Sequence, residues 1–91
     1  MKIELGRLRR PSKKTTTRLV LQCFDADACE VAFEPWGTVE TLRVGDTFTV
    51  EVSGPGDGVV EVACRPGGIS LWAWSGADVV AWDKEGKRLS I

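Results

Sequence analysis

Histidine is absent from the 91 residues, and so is tyrosine. Without histidine the chain lacks the commonest general base, the commonest metal ligand and the side chain that titrates near neutrality, which excludes Ser-His-Asp and Cys-His catalysis. Cys23, Cys29 and Cys64 form no C-x-x-C pair, and with no histidine beside them they make no four-ligand zinc set. No metal and no cofactor is therefore expected. Long apolar runs are missing too, so no segment approaches the ~20 residues of a membrane span. The opening stretch MKIELGRLRR carries charge where a signal peptide needs an apolar run. A cytoplasmic protein with three reduced thiols is the expectation.

Ten glycines, four prolines, 43% hydrophobic and 27% charged residues are what a globular domain carries, and they argue against collagen, low-complexity disorder and a coiled coil. A chain of this size buries roughly 64% of its extended surface on folding, enough for one core and one domain, residues 1–91. The net charge of −1 hides a segregation. Residues 1–18 hold seven bases (Lys2, Arg7, Arg9, Arg10, Lys13, Lys14, Arg18) against Glu4 alone, a net +6, whereas residues 19–91 carry a net −7. The chain thus reads as a basic N-terminal arm or edge strand, 1–18, on an acidic β body, 19–91.

Turn signals recur every eight to twelve residues, among them Pro35-Trp36-Gly37, Gly54-Pro-Gly-Asp-Gly58, Pro66-Gly67-Gly68 and Ser75-Gly76. Between them apolar residues alternate with period two, giving candidate strands at 2–9, 16–24, 28–34, 38–44, 47–53, 59–65, 69–74, 79–83 and 87–91. Asp27-Ala-Cys-Glu30 followed by Pro35 would also suit a short capped helix, but Cys29, Val31 and Phe33 alternate strictly with Glu30, Ala32 and Glu34, which favours a strand. The expected fold is all-β: a single small antiparallel β-sandwich, jelly-roll-like, or a partly open barrel of about eight or nine short strands. Leu42-Arg-Val-Gly-Asp-Thr-Phe-Thr-Val50 resembles the Gly-Asp strand entry of cupins, which are jelly rolls. It lacks their metal-binding histidines, so the resemblance implies no function.

Closing 47–53 onto 59–65 over Gly54–Gly58 would pair Val50 with Val62 and set Glu51 against Glu61, a like-charge pair that a base from the arm could relieve. Closing 69–74 onto 79–83 over Ser75–Asp78 would put Leu71, Ala73, Val80 and Trp82 on a core face. Trp72, Trp74, Val79 and Ala81 would then share the reverse face, an apolar patch of the kind that joins proteins. In a hairpin of 19–24 with 29–34, Cys23 and Cys29 would point to opposite faces and stay unbridged.

Arg7, Arg9, Arg10, Lys13, Lys14 and Arg18 could meet an anion or an acidic surface. However, no aromatic precedes Phe24 and the acidic body repels a polyanion, so nucleic acid is not the expected partner. Asp25, Asp27 and Glu30 lack the glycine and distal glutamate of a calcium loop and read as a turn. The class expected is a non-enzymatic β-domain acting by protein contact, as a homo-oligomer or an accessory subunit. The alternative is a small-ligand or carbohydrate binder with a tryptophan platform.

Overall fold

The computed structural model describes residues 14–24 and 27–91. Their only regular structure is strand: β1 (Lys14–Gln22), β2 (Ala28–Glu34), β3 (Thr38–Arg43), β4 (Thr47–Pro55), β5 (Glu61–Arg65), β6 (Gly68–Trp72) and β7 (Asp78–Trp82). They form a three-stranded sheet, β1-β4-β7, and a four-stranded sheet, β3-β2-β6-β5. Among the described residues no helix is long and apolar enough to cross a membrane.

Alternation explains the strands, and their inward rows make the core. Phe48, Val50 and Val52 of β4 and Ala81 of β7 meet Val31 and Phe33 of β2, Leu42 of β3 and Leu71 of β6 in one buried cluster. Each of the larger side chains stabilises the fold by about 1.5–3 kcal/mol. The capped-helix alternative at 28–34 loses because Cys29, Val31 and Phe33 are needed on one face, which a helical period would scatter.

Several expectations are corrected. The described residues hold seven strands against the eight or nine expected: 2–9 lies outside them, and 87–91 forms no strand, its one β-bridge joining Arg88 to Trp82. The pairing is not wholly antiparallel, since β2 runs parallel to β6. Neither hairpin proposed for the second half of the chain exists. β4 lies between β1 and β7, and β5 pairs with β6 in the other sheet, so Glu51 sits opposite Arg18 and Val80 while Glu61 sits opposite Trp72. Gly54 and Pro55 continue β4 along β1, and residues 56–60 form a crossover to β5 that is held in place by its neighbours. Thr15 Oγ1 donates to Gly56 O at 2.8 Å, Thr17 Oγ1 donates to Gly58 O, and Trp74 Nε1 donates to Pro55 O at 2.9 Å. Pinned against β1 and Trp74, the chain cannot fold back on β4.

Two local hairpins do match the turn signals. β2 turns into β3 across Pro35-Trp36-Gly37. β5 turns into β6 across Pro66-Gly67, where Gly67 at φ 81° supplies the left-handed second position that follows proline in a type II turn. Glycine is required at Gly68 for another reason: a Cβ there would overlap the Glu30 backbone, which donates its N–H to Gly67 O at 2.8 Å.

Cys23 and Cys29 are joined, with a Cα–Cα distance of 5.9 Å, contrary to the expectation of three thiols. β1 and β2 are not a hairpin. They belong to different sheets, so the end of one and the start of the other both point into the space between, and the parity rule for paired strands does not apply. Cys64 is the free cysteine, and it is exposed. Denatured without reductant, the protein should titrate one thiol, and three after reduction. Closing so short a loop should contribute about 2 kcal/mol, read as the loss in denaturant midpoint on reduction.

Candidate interaction surface

The residues expected to form one patch are separated, because Ser75–Asp78 crosses between sheets instead of turning. Ala81 is fully buried and Val79 packs against the core from β7, so neither is available to a partner. Trp74 also packs against the core cluster and is anchored to Pro55. Trp72 alone of the four stands out from its sheet, at 44% exposure. Trp82, expected in the core, lies half-buried on the outer face of the three-stranded sheet opposite Thr49, since Ala81 takes the inward position. Trp36 is exposed at its turn.

Of the basic set, Arg7, Arg9, Arg10 and Lys13 lie outside the described residues. Lys14 opens β1 and is exposed. Arg18 pairs with Glu51 at 3.8 Å, so a base from the arm does face this carboxylate, in an exposed pair of small energetic weight.

On the outer face of the four-stranded sheet, register places Trp72 between Glu34 of β2 and Glu61 of β5. The next row across is small: Val39, Ala32, Ser70 and Ala63. In the row beyond, Arg65 reaches over Gly68 to Glu30 at 3.8 Å. A shallow acidic and aromatic hollow of about 240 Å³ lies at the Trp72 end, lined by Asp57, Val59, Glu61, Trp72 and Trp74.

Beside it, β5 is exposed at all five positions, unlike every other described strand. Val62 sits opposite the buried Leu71, and Cys64 opposite Ile69, so both point toward the core side of their sheet. Yet Val62 is 51% exposed, because three strands cover only part of four and β5 overhangs.

Hydrogen-bond parity fixes which backbone groups the overhang presents. Glu30 N–H donates to Gly67 O, and Ala73 N–H donates to Glu34 O at 3.4 Å, so the odd-numbered residues of β6 bond toward β2. The even ones, Gly68, Ser70 and Trp72, bond toward Arg65, Ala63 and Glu61. Val62 and Cys64 therefore direct N–H and C=O to the outer edge, where no described strand pairs with them. Sequence reading missed this edge by assigning the alternation of Glu61–Arg65 to a hairpin with β4.

Two further hollows differ in character. One of about 490 Å³ beside the disulfide is lined by Val20, Leu21, Phe24, Cys29 and Ile69, and is largely apolar. Another, of about 470 Å³, combines Trp82 with Arg18, Thr47, Thr49, Asp83 and Lys84.

Replacing Trp72 by Ser should shift stability by less than about 1 kcal/mol, as for a surface residue, whereas Trp74→Ala should cost about 2 kcal/mol, part of the figure for a fully buried tryptophan. Urea unfolding of the two variants checks this. Compared with family models, curated proteins and solved structures, the chain matches none.

Proposed function

We propose that the chain is a small non-enzymatic β-module that works by protein contact, its two-sheet, sandwich-like body accepting an extended strand along the outer edge of β5, with Trp72 on the adjoining face. The observation that carries this reading is the exposure of all five β5 residues together with the outward N–H and C=O groups of Val62 and Cys64, with which no other described strand pairs. An edge of this kind templates pairing by a further strand. Charges blunt this edge only at its two ends, Glu61 and Arg65, while Val62, Ala63 and Cys64 between them carry neither charge nor proline. The Trp72 hollow, at about 240 Å³, is smaller than the 300–1,000 Å³ typical of small-ligand sites, which favours a protein partner at this end of the molecule. The Cys23–Cys29 bridge suits an oxidising compartment better than the cytoplasm.

Val62→Pro tests the edge. Its N–H points outward, so proline there removes an edge donor and leaves the β5–β6 ladder intact. A capped, fluorescein-labelled peptide Thr-Val-Thr-Val-Thr should bind the wild type weakly, in the millimolar range, and bind Val62→Pro at least about ten-fold less. Equal anisotropy with both proteins would refute strand addition.

A second reading has its own support. The Trp82 hollow sets an indole among hydroxyl, carboxylate and cationic side chains, the mixture that a sugar ring uses. On that reading, xylotetraose or cellotetraose should change tryptophan fluorescence in the wild type and not in Trp82→Ala. An unchanged signal with both sugars counts against it.

A further inference from the structure

We infer that the strand received by β5 is the β5 of a second copy, paired antiparallel about a two-fold axis through Ala63. The inference rests on the strand-addition reading and adds the partner and its register. The sequence Glu61-Val62-Ala63-Cys64-Arg65 is self-complementary about its centre. Antiparallel pairing there sets Ala63 against Ala63 of the second copy, Val62 against its Cys64, and Glu61 against its Arg65.

Three independent features agree with that register. Hydrogen-bond parity gives the edge groups to Val62 and Cys64, so each Val62–Cys64 pair exchanges two backbone bonds and the Ala63 pair is the close, non-hydrogen-bonded one. Ala63 is small, as a close pair on the two-fold requires. On the outer face, Arg65 already lies 3.8 Å from Glu30 of its own chain. The second copy's Glu61 would approach from the other side, giving Glu30, Arg65 and Glu61 alternating charge across the seam. Slipping the register by two residues in either direction destroys this match, because it removes the opposition of Glu61 to Arg65.

The ladder is also bounded. Pro66 follows Arg65 and has no N–H to extend the pairing, so the seam is limited to five residues. A two-fold perpendicular to the sheet keeps both three-stranded sheets on the same side. Val62 and Cys64 of both copies then line an apolar floor between them. So short a contact falls below the ~1,000 Å² of a stable interface, and the dimer is expected to be weak.

Cross-linking traps a weak dimer and reads its register. In a non-hydrogen-bonded antiparallel pair the Cα atoms lie about 4.5 Å apart, within disulfide reach, whereas the two Cys64 residues would stand roughly 8–9 Å apart, beyond it. Under mild oxidation, Ala63→Cys in a Cys64→Ser background should become a covalent dimer. Wild type through Cys64, and Thr41→Cys on β3 in the same background, should cross-link at least about ten-fold more slowly.

Arg65→Glu added to the Ala63→Cys protein should slow its cross-linking by about ten-fold, since like charges then meet at both ends, and the double exchange Glu61→Arg/Arg65→Glu should recover part of the lost rate, Glu30 still opposing a carboxylate at position 65. Circular dichroism of each variant confirms that the fold is kept. Cross-linking of Ala63→Cys no faster than Thr41→Cys overturns the self-pairing. If the peptide still binds, the edge then serves a different protein, and if it does not, strand addition fails as well. Cross-linking at Ala63 without any recovery by the charge exchange overturns the register.

Discussion

The inward row of β4, Phe48, Val50 and Val52, is the constraint to which the rest of the molecule answers. β4 is the central strand of its sheet, held by β1 on one edge and β7 on the other, so these side chains can leave water only beneath a second sheet. The chain supplies that cover by crossing between sheets at four of its six connections, bringing Val31, Phe33, Leu42 and Leu71 opposite the row. Among the described residues three strands face four, and these cannot match edge to edge. β5 is the strand left over, and its exposure follows from a count of strands and not from its composition.

The surface electrostatics carry little of the stability. Arg18–Glu51, Arg65–Glu30 and Lys84–Asp46 have separations of 3.6–3.8 Å and substantial solvent exposure, and pairs of this type contribute at most about 1 kcal/mol each. Cohesion comes from the apolar row, the disulfide between the sheets and the ladders. The charges bear on which strands lie side by side: Arg18 faces Glu51 across β1 and β4, and Arg65 bridges toward β2 over a glycine.

Much of the fold was legible in residues whose information is local. Period-two alternation identified β2 against a capped helix, and Pro35-Trp36-Gly37 and Pro66-Gly67 marked two true hairpins. Partner choice was not legible, because Gly54-Pro-Gly-Asp-Gly58 has the composition of a hairpin loop and its use as a strand end and crossover depends on Thr15, Thr17 and Trp74, distant residues that hold it. A second wrong closure, over Ser75–Asp78, inverted the faces of β7 alone. Trp82 moved out of the core, Ala81 moved in, and the supposed patch of Trp72, Trp74, Val79 and Ala81 dissolved except for Trp72. Cys23 and Cys29 failed as a prediction for the same reason, since parity within a sheet says nothing about two strands in different sheets.

The two local hairpins, β2–β3 and β5–β6, both belong to the four-stranded sheet. In the other sheet β1 must find β4, and β4 must find β7, each across a long stretch of intervening chain. Hairpins close in microseconds, while distant pairings first meet the entropy of loop closure, so the two sheets are made on different clocks. The four-stranded sheet has its local halves early and offers Val31 and Phe33 as a bare floor. Its covering layer condenses only when β1 and β7 have both joined β4, and until then one apolar side of the four-stranded sheet is open to the solvent.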